Sequence, residues 1–320
     1  MTLPVLFGAN VDPVWQPLDG PLERTRHAER LGLDFVTIQD HPYQPAFHDT
    51  WTLLTFLAAR TEHITLVPTV ANLPLRPPAM LAKAAASLDL LSGGRLQLGL
   101  GAGAFWDAIA AMGGPRRSPG EAVQALEEGI DVIRAMWSGE RSVRTSGRLY
   151  AVQGSHPGPQ PGPGLGIWLG AYGKRTLALI GRKADGWMPS RGFLPPDRVG
   201  DASRRIDDAA ADAGRDPTAI RKVYNLNGMI GTESTEPFQG SADPVLLHAF
   251  ESEVSHEAEE EGDVQLGQRA DKGDIDRRVI VSEDRSPGRE EIGYPKGEQP
   301  QPGRAEENGE ANGDQRAENH

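Results

Sequence analysis

Ile167-Trp168-Leu169-Gly170-Ala171-Tyr172-Gly173-Lys174-Arg175, running on to Gly181-Arg182-Lys183-Ala184-Asp185-Gly186-Trp187-Met188, is the stretch that decides the fold. The apolar run 167–170 has the length of a strand buried on both faces, and it stops at glycine. Residues 174–183 carry helical spacing. Residues 184–188 form a second short apolar run. A strand, a helix and a strand joined by short connections make a βαβ unit, in which the two strands lie parallel.

The same alternation extends in both directions. Upstream, 5–8 reads as a strand and 21–31 as a helix, with Leu22, Thr25, Ala28 and Leu31 on one side and Gly32 just past the end. Residues 34–38 form the next strand, and 49–60 a helix with Asp49 or Thr50 as its N-cap. A β-branched strand at 64–70 leads to a helix at 78–91, with proline at its start and Gly93-Gly94 beyond its end. Strand 96–101 precedes a long helix at 121–137, opened by the capping-box pattern Ser118-Pro119-Gly120-Glu121. Residues 138–164, rich in Gly and Pro, read as an insertion loop. Downstream of the deciding stretch come a helix at 196–213 and a strand at 220–230. That makes seven strands and six clear helices before residue 240. A doubly wound sheet uses fewer units and a TIM (β/α)8 barrel needs eight, so the reading is an α/β barrel over 1–240 whose last unit is in question.

Residues 241–320 differ in kind. Residues 1–240 hold 24 acids and 24 bases, whereas 241–320 hold 21 acids and 9 bases, so the tail carries the whole net charge of −12. All six Trp lie before residue 190, and the tail has one Phe and one Tyr. Such a composition buries too little apolar surface to offset chain entropy, and it reads as a disordered acidic tail. Either Val279 to Val281 fills the eighth strand slot, or the barrel stays open. The switch in composition favours the open barrel and suggests a truncated or frame-shifted C-terminus. An open barrel would expose strand edges and drive self-association into a homo-oligomer. A neutral body shows no basic footprint for nucleic acid. No apolar stretch is long enough for a membrane span, and no signal peptide is evident, so a cytoplasmic protein is expected. The chain has no cysteine, which excludes disulfides and thiolate metal sites. No His, Asp or Glu cluster has metal-ligand spacing, so no metal is expected.

In a barrel the strand ends and the loops after them form the active face. Strand two ends in Gln39-Asp40-His41-Pro42-Tyr43, where His41 is either an acid–base group or a surface imidazole, and Asp40 would orient it or meet a polar ligand. Strand three ends in Thr69-Val70-Ala71-Asn72-Leu73-Pro74, which is uninformative by itself. Strand four ends in Leu98-Gly99-Leu100-Gly101-Ala102-Gly103, either a close approach of backbone to ligand or tight packing at the rim. Its spacing is wrong for a dinucleotide fingerprint. Gly170 to Lys174 joins glycines, cations and a helix start, which suits a phosphate. Trp106 is a candidate for lining a substrate pocket.

Together, in this order and spacing, these segments resemble the bacterial luciferase-like flavin and deazaflavin oxidoreductases, over roughly residues 3–240. The resemblance implies a TIM barrel that binds FMN or coenzyme F420 at its C-terminal face and oxidises or reduces a small organic substrate, as a hydride-transfer enzyme or a monooxygenase. It makes His41 the proton-handling residue, with Asp40 beside it. It puts Thr69 and Val70, joined by a non-prolyl cis peptide, behind the ring with Asn72 near, and Gly101 and Gly103 against it. It assigns the coenzyme phosphate to Gly170, Ala171, Tyr172 and Gly173, helped by Lys174. Sugar-phosphate dehydrogenases of the family carry a catalytic Glu where this chain has Ala104, which argues against that reaction. A coenzyme-binding relative without activity is the alternative.

Overall fold

The structure, a computed structural model, describes residues 6–230, 239–240 and 277–283. Seven α-helices and twelve strands are described: β1 (Phe7–Asn10), α1 (Gly20–Arg30), β2 (Phe35–Ile38), α2 (Thr50–Ala58), β3 (Thr65–Pro68), β4 (Ala71–Asn72), α3 (Pro78–Leu91), β5 (Leu98–Gly101), α4 (Trp106–Ala111), α5 (Pro119–Trp137), β6 (Val143–Thr145), β7 (Val152–Ser155), β8 (Ile167–Leu169), α6 (Lys174–Lys183), β9 (Gly186–Trp187), α7 (Val199–Asp212), β10 (Arg221–Ile230), β11 (Gln239–Gly240) and β12 (Arg277–Glu283).

The parallel pairings close on themselves. β1 pairs with β2 and β2 with β3. β3 meets the start of β5 through a bridge between Leu66 and Leu96, and β4 continues the contact with β5. β5 then pairs with β8, β8 with β9, β9 with β10, and β10 with β12. β12 returns to β1, with Val279 opposite Phe7 and Val281 opposite Ala9. β3 and β4 are the two halves of one strand, so the ring is the eight-stranded barrel expected. The expectation of an open barrel is corrected at this strand. Arg277–Glu283 fills the eighth slot between β10 and β1. The run Val279-Ile280-Val281 is β-branched, which suits a strand with a parallel neighbour on each side. The segments 241–276 and 284–320, for which a disordered tail is expected, lie outside the described residues.

Local signals set the elements. The Asp49 side chain accepts the Thr52 amide at 2.9 Å and caps α2, a contact worth about 1 kcal/mol. Ser118 and Glu121 form the expected capping box of α5. Leu54 and Leu57 of α2 are fully buried in the shell between helices and barrel, each contributing about 1.5–3 kcal/mol. Inside the barrel, Phe35, Val67, Trp168, Met188 and Val223 make a separate cluster. Two local elements go beyond the sequence reading. α4 follows the strand-four glycines, and β6 pairs antiparallel with β7 inside residues 138–164. That hairpin is tied to α5 by Glu128, whose carboxylate accepts the amides of Arg148, Leu149 and Tyr150 at 2.7–3.0 Å.

Candidate active site

Because every barrel strand runs the same way, their C-terminal ends share one rim. The sequence-predicted residues of β2, β4, β5 and the loop before α6 all belong to it.

The peptide between Thr69 and Val70 is cis, as expected. Thr69 and Val70 lie between β3 and β4, and Val70 packs against the cluster inside the barrel. A Cβ on Gly101 would collide with Cγ2 of Val70, and one on Gly170 would lie 3.1 Å from its Cγ1. Glycine at 101 is therefore required by this close approach. Gly103 has φ +95°, a backbone region that L side chains rarely adopt, and its α-carbon faces Pro74 and the Trp106 ring. Trp106 thus covers the strand-four glycine, and Phe105, beside it in sequence, is the ring that reaches His41.

Two polar atoms of the bulge are buried without a hydrogen-bond partner: Thr69 Oγ1 and Asn72 Oδ1. Buried polar atoms are almost always paired, so these two are open to a ligand group at the rim, although Trp51, Asp89 and Arg117 also carry unpaired buried atoms. Asn225 Oδ1, on β10, is a third, while its Nδ2 donates to Ser190 Oγ at 3.2 Å.

Asp40, expected to orient His41 or to meet a polar ligand, is engaged inside the fold. Its side chain is fully buried and accepts Arg76 Nε and Nη2 at 2.7 Å each, a bidentate pair, together with the Asn72 amide at 2.8 Å. Arg76 also donates to Asp49 at 2.6 Å. Both Asp40 oxygens are consumed inside the fold, so Asp40 locks the end of β2 to the bulge and offers a ligand little. The guanidinium between two carboxylates holds its proton even more firmly than an ordinary arginine, although burial acts the other way.

His41 is half-buried. Its Nδ1 lies 2.7 Å from the Tyr43 hydroxyl, and its ring meets the rings of Tyr43 and Phe105 at centroid distances of 5.5 Å. Burial pushes the imidazole below its ordinary pKa of 6.5, and the negative charge of Asp40 pulls the other way without winning. That direction favours the neutral imidazole.

Across the rim, Gly173 is the N-cap of α6 and no side chain caps the helix, so first-turn amides face outward with the positive end of the dipole. Lys174 is exposed. Ala171 is buried, and its carbonyl accepts the Trp187 indole at 2.9 Å, which anchors the loop to β9. The Tyr172 ring lies 5.3 Å from that of Phe193. Burial raises the Tyr172 phenol above its usual pKa of 10, against hydrogen bonding with Ser190. Among the described residues no group of three His, Cys, Asp or Glu could hold a metal, and no helix is long and apolar enough to cross a membrane.

Tyr43, Arg76, Ser190 and Asn225 were not singled out by sequence reasoning. Tyr43, two residues after His41, was the one within reach of a local signal. Arg76 and Asn225 join the site only through tertiary contact, Arg76 with Asp40 and Asn225 with Ser190.

Comparison with known proteins agrees with this architecture. The family model described as luciferase-like monooxygenase matches residues 2–279. A phthiodiolone/phenolphthiodiolone dimycocerosates ketoreductase from Mycobacterium sp. (strain JLS) is 33% identical over 217 residues, which are 65% of this chain and 55% of that protein. An F420-dependent glucose-6-phosphate dehydrogenase from Microbacterium testaceum (strain StLB037) is 30% identical over 224 residues, covering 67% of this chain and 65% of that one. The chain therefore spans roughly 55–65% of the length of these relatives. Among solved structures, an F420-dependent secondary alcohol dehydrogenase in complex with an F420-acetone adduct superposes with a TM-score of 0.68 at 16% identity, over 88% of this chain and 94% of the other, a likeness of fold.

Proposed function

The chain belongs to the luciferase-like monooxygenase family, and from that premise we propose that it is an oxidoreductase that binds FMN or the deazaflavin F420 at the C-terminal rim and acts on a small organic substrate. The observation that carries the reading is the approach of Val70 to Gly101 and Gly170, with unpaired Thr69 Oγ1 and Asn72 Oδ1 beside it. This floor has no side chains on its glycine walls and has polar atoms in want of partners, and it fits a flat ring with hydrogen-bonding edges. The uncapped start of α6 at Gly173, with Lys174 next to it, fits the coenzyme's phosphate. When bound, such a coenzyme supplies two-electron redox chemistry, by hydride exchange as a deazaflavin or by reaction with oxygen as FMN.

The residues divide the remaining work. Val70, Gly101 and Gly103 shape the ring's bed. Gly170, Ala171, Tyr172 and Gly173 hold the phosphate, and Asp40 with Arg76 fixes the bulge. His41, neutral and ringed by Tyr43 and Phe105, handles a proton at a substrate oxygen. Ala104 supplies no acid, and the aromatic surround of His41 favours an apolar carbonyl or alcohol over a sugar phosphate. Of the coenzymes, F420 suits His41 better, because hydride transfer to a carbonyl needs a paired proton.

Equilibrium titration with oxidised F420 and FMN, followed by fluorescence, tests the reading. Saturable micromolar binding of one of them, weakened at least about tenfold in Gly173→Val, supports it. Gly173 has an ordinary φ of −80°, and a Cβ there meets only Thr176 Oγ1 at an ordinary contact distance of 3.5 Å, so this variant is expected to keep its fold. No binding of either coenzyme overturns the reading.

A further inference from the structure

A His that donates or accepts a proton needs its other nitrogen held, since that hydrogen bond sets which nitrogen carries the proton. In many sites a carboxylate does this. Here the adjacent carboxylate, Asp40, is spent on Arg76 and on the Asn72 amide. The contact that the structure gives to His41 Nδ1 is the Tyr43 hydroxyl, at 2.7 Å. An imidazole nitrogen is a much stronger base than a phenol oxygen, so the favoured arrangement is the phenol O–H donating to Nδ1. That arrangement puts the imidazole's own proton on Nε2. The Phe105 ring fixes the pair from the side, edge-on to His41 at 5.5 Å and to Tyr43 at 5.9 Å.

We propose that Tyr43 is a positioning residue for the chemistry at this rim: its hydroxyl holds His41 in the Nε2–H tautomer, offers Nε2–H to the oxygen of a carbonyl substrate, and resupplies the imidazole with its own proton at Nδ1. The substrate role rests on the function proposed above. As the carbonyl carbon gains a hydride, with two electrons from the reduced coenzyme, its oxygen becomes an alcohol by forming a bond to the Nε2 proton. The Nε2–H bond breaks, the phenol O–H bond breaks, and an Nδ1–H bond forms. The ring is neutral before and after, and the negative charge passes from the reduced carbonyl to the phenolate; as Nε2 then takes a proton from water, Nδ1 returns its proton to the phenolate and the Nε2–H tautomer is restored. The carbonyl is reduced and the coenzyme oxidised. Run backwards, the same exchange takes a proton from a secondary alcohol. A neutral imidazole suits this route, because no imidazolium has to form in its buried setting. Burial outweighs the neighbouring Asp40 charge and keeps the ring neutral.

Long-range proton–nitrogen correlation spectra of coenzyme-free, nitrogen-15 histidine-labelled protein at neutral pH read the tautomer directly. The wild type is expected to show His41 as the Nε2–H form, and Tyr43→Phe, which keeps the ring against Phe105, a mixture of both forms. With reduced coenzyme and a small ketone, Tyr43→Phe is expected to lose about tenfold or more in kcat, with coenzyme affinity and KM unchanged. A wild-type His41 protonated on Nδ1, a tautomer unaltered in Tyr43→Phe, or full kcat in that variant overturns the assignment. The tautomer measurement needs no coenzyme. If the wild type binds neither FMN nor F420, the proposed function falls, and the spectra still decide whether Tyr43 sets the tautomer.

Discussion

Replacing Arg76 with Met isolates the role of the buried ion pair. The Asp40 side chain is 0% exposed and that of Arg76 18%, so their attraction is little screened by water. Arg76→Met removes both hydrogen bonds to Asp40 and leaves a buried carboxylate with the Asn72 amide alone. Stranding one partner of a buried pair costs about 3–5 kcal/mol. The lost contact to Asp49, whose side chain is 45% exposed, adds at most about 1 kcal/mol. Adding Asp40→Asn to Arg76→Met removes the stranded charge and keeps an oxygen for the Asn72 amide. The double variant should therefore recover about 2 kcal/mol or more, since an unpaired buried charge costs more than an unpaired neutral group. Equilibrium urea unfolding of the two single variants and the double variant gives the coupling energy. A loss below about 1 kcal/mol for Arg76→Met, or no recovery on adding Asp40→Asn, refutes the reasoning. If the double variant lost stability little but coenzyme binding entirely, Asp40 would be a ligand after all.

Three further outcomes follow from the geometry. Gly101→Ala should cost about 1–3 kcal/mol, because the new Cβ collides with the stiff Val70 side chain; it should also weaken coenzyme binding, both read by denaturation and titration. His41→Ala should lower turnover by about 100-fold or more and leave coenzyme bound; full activity in a steady-state assay removes His41 from the mechanism. His41 also makes stability depend on pH. Its folded pKa lies below the ordinary 6.5, so on acidification the unfolded chain takes up a proton before the native one. The stabilisation is complete above about pH 6.5 and is lost as pH falls through the folded pKa; His41→Asn should flatten the wild-type decline in that window, and an unchanged slope in unfolding experiments counts against it.

Much of this was legible in the sequence because each barrel unit carries its own punctuation. Glycine after α1 and α3, Asp49 before α2 and Ser118 before α5 marked helix ends within a residue or two. The glycine loop before α6 and the Thr69–Val70 bulge were recognisable as a set, and the cis peptide stands where the resemblance put it. What escaped was what only tertiary contact creates. Asp40 reads as a polar rim residue until Arg76, 36 positions later, closes on it. Trp106 reads as the pocket ring in sequence; it packs against Gly103, and Phe105 is the ring that meets His41. The eighth strand was read against because its three β-branched residues sit among charges. Backbone pairing with both β1 and β10 places it regardless, since a closing strand needs two neighbours more than a long apolar run.

Hydrogen exchange with and without the coenzyme that binds tests the central claim most directly, because it reports where the ligand sits. The account expects added protection at amides of 40–43, 69–72, 101–103 and 170–175, and little change at the opposite end of the barrel. Binding that protects none of these four segments, or protects amides elsewhere instead, would contradict it.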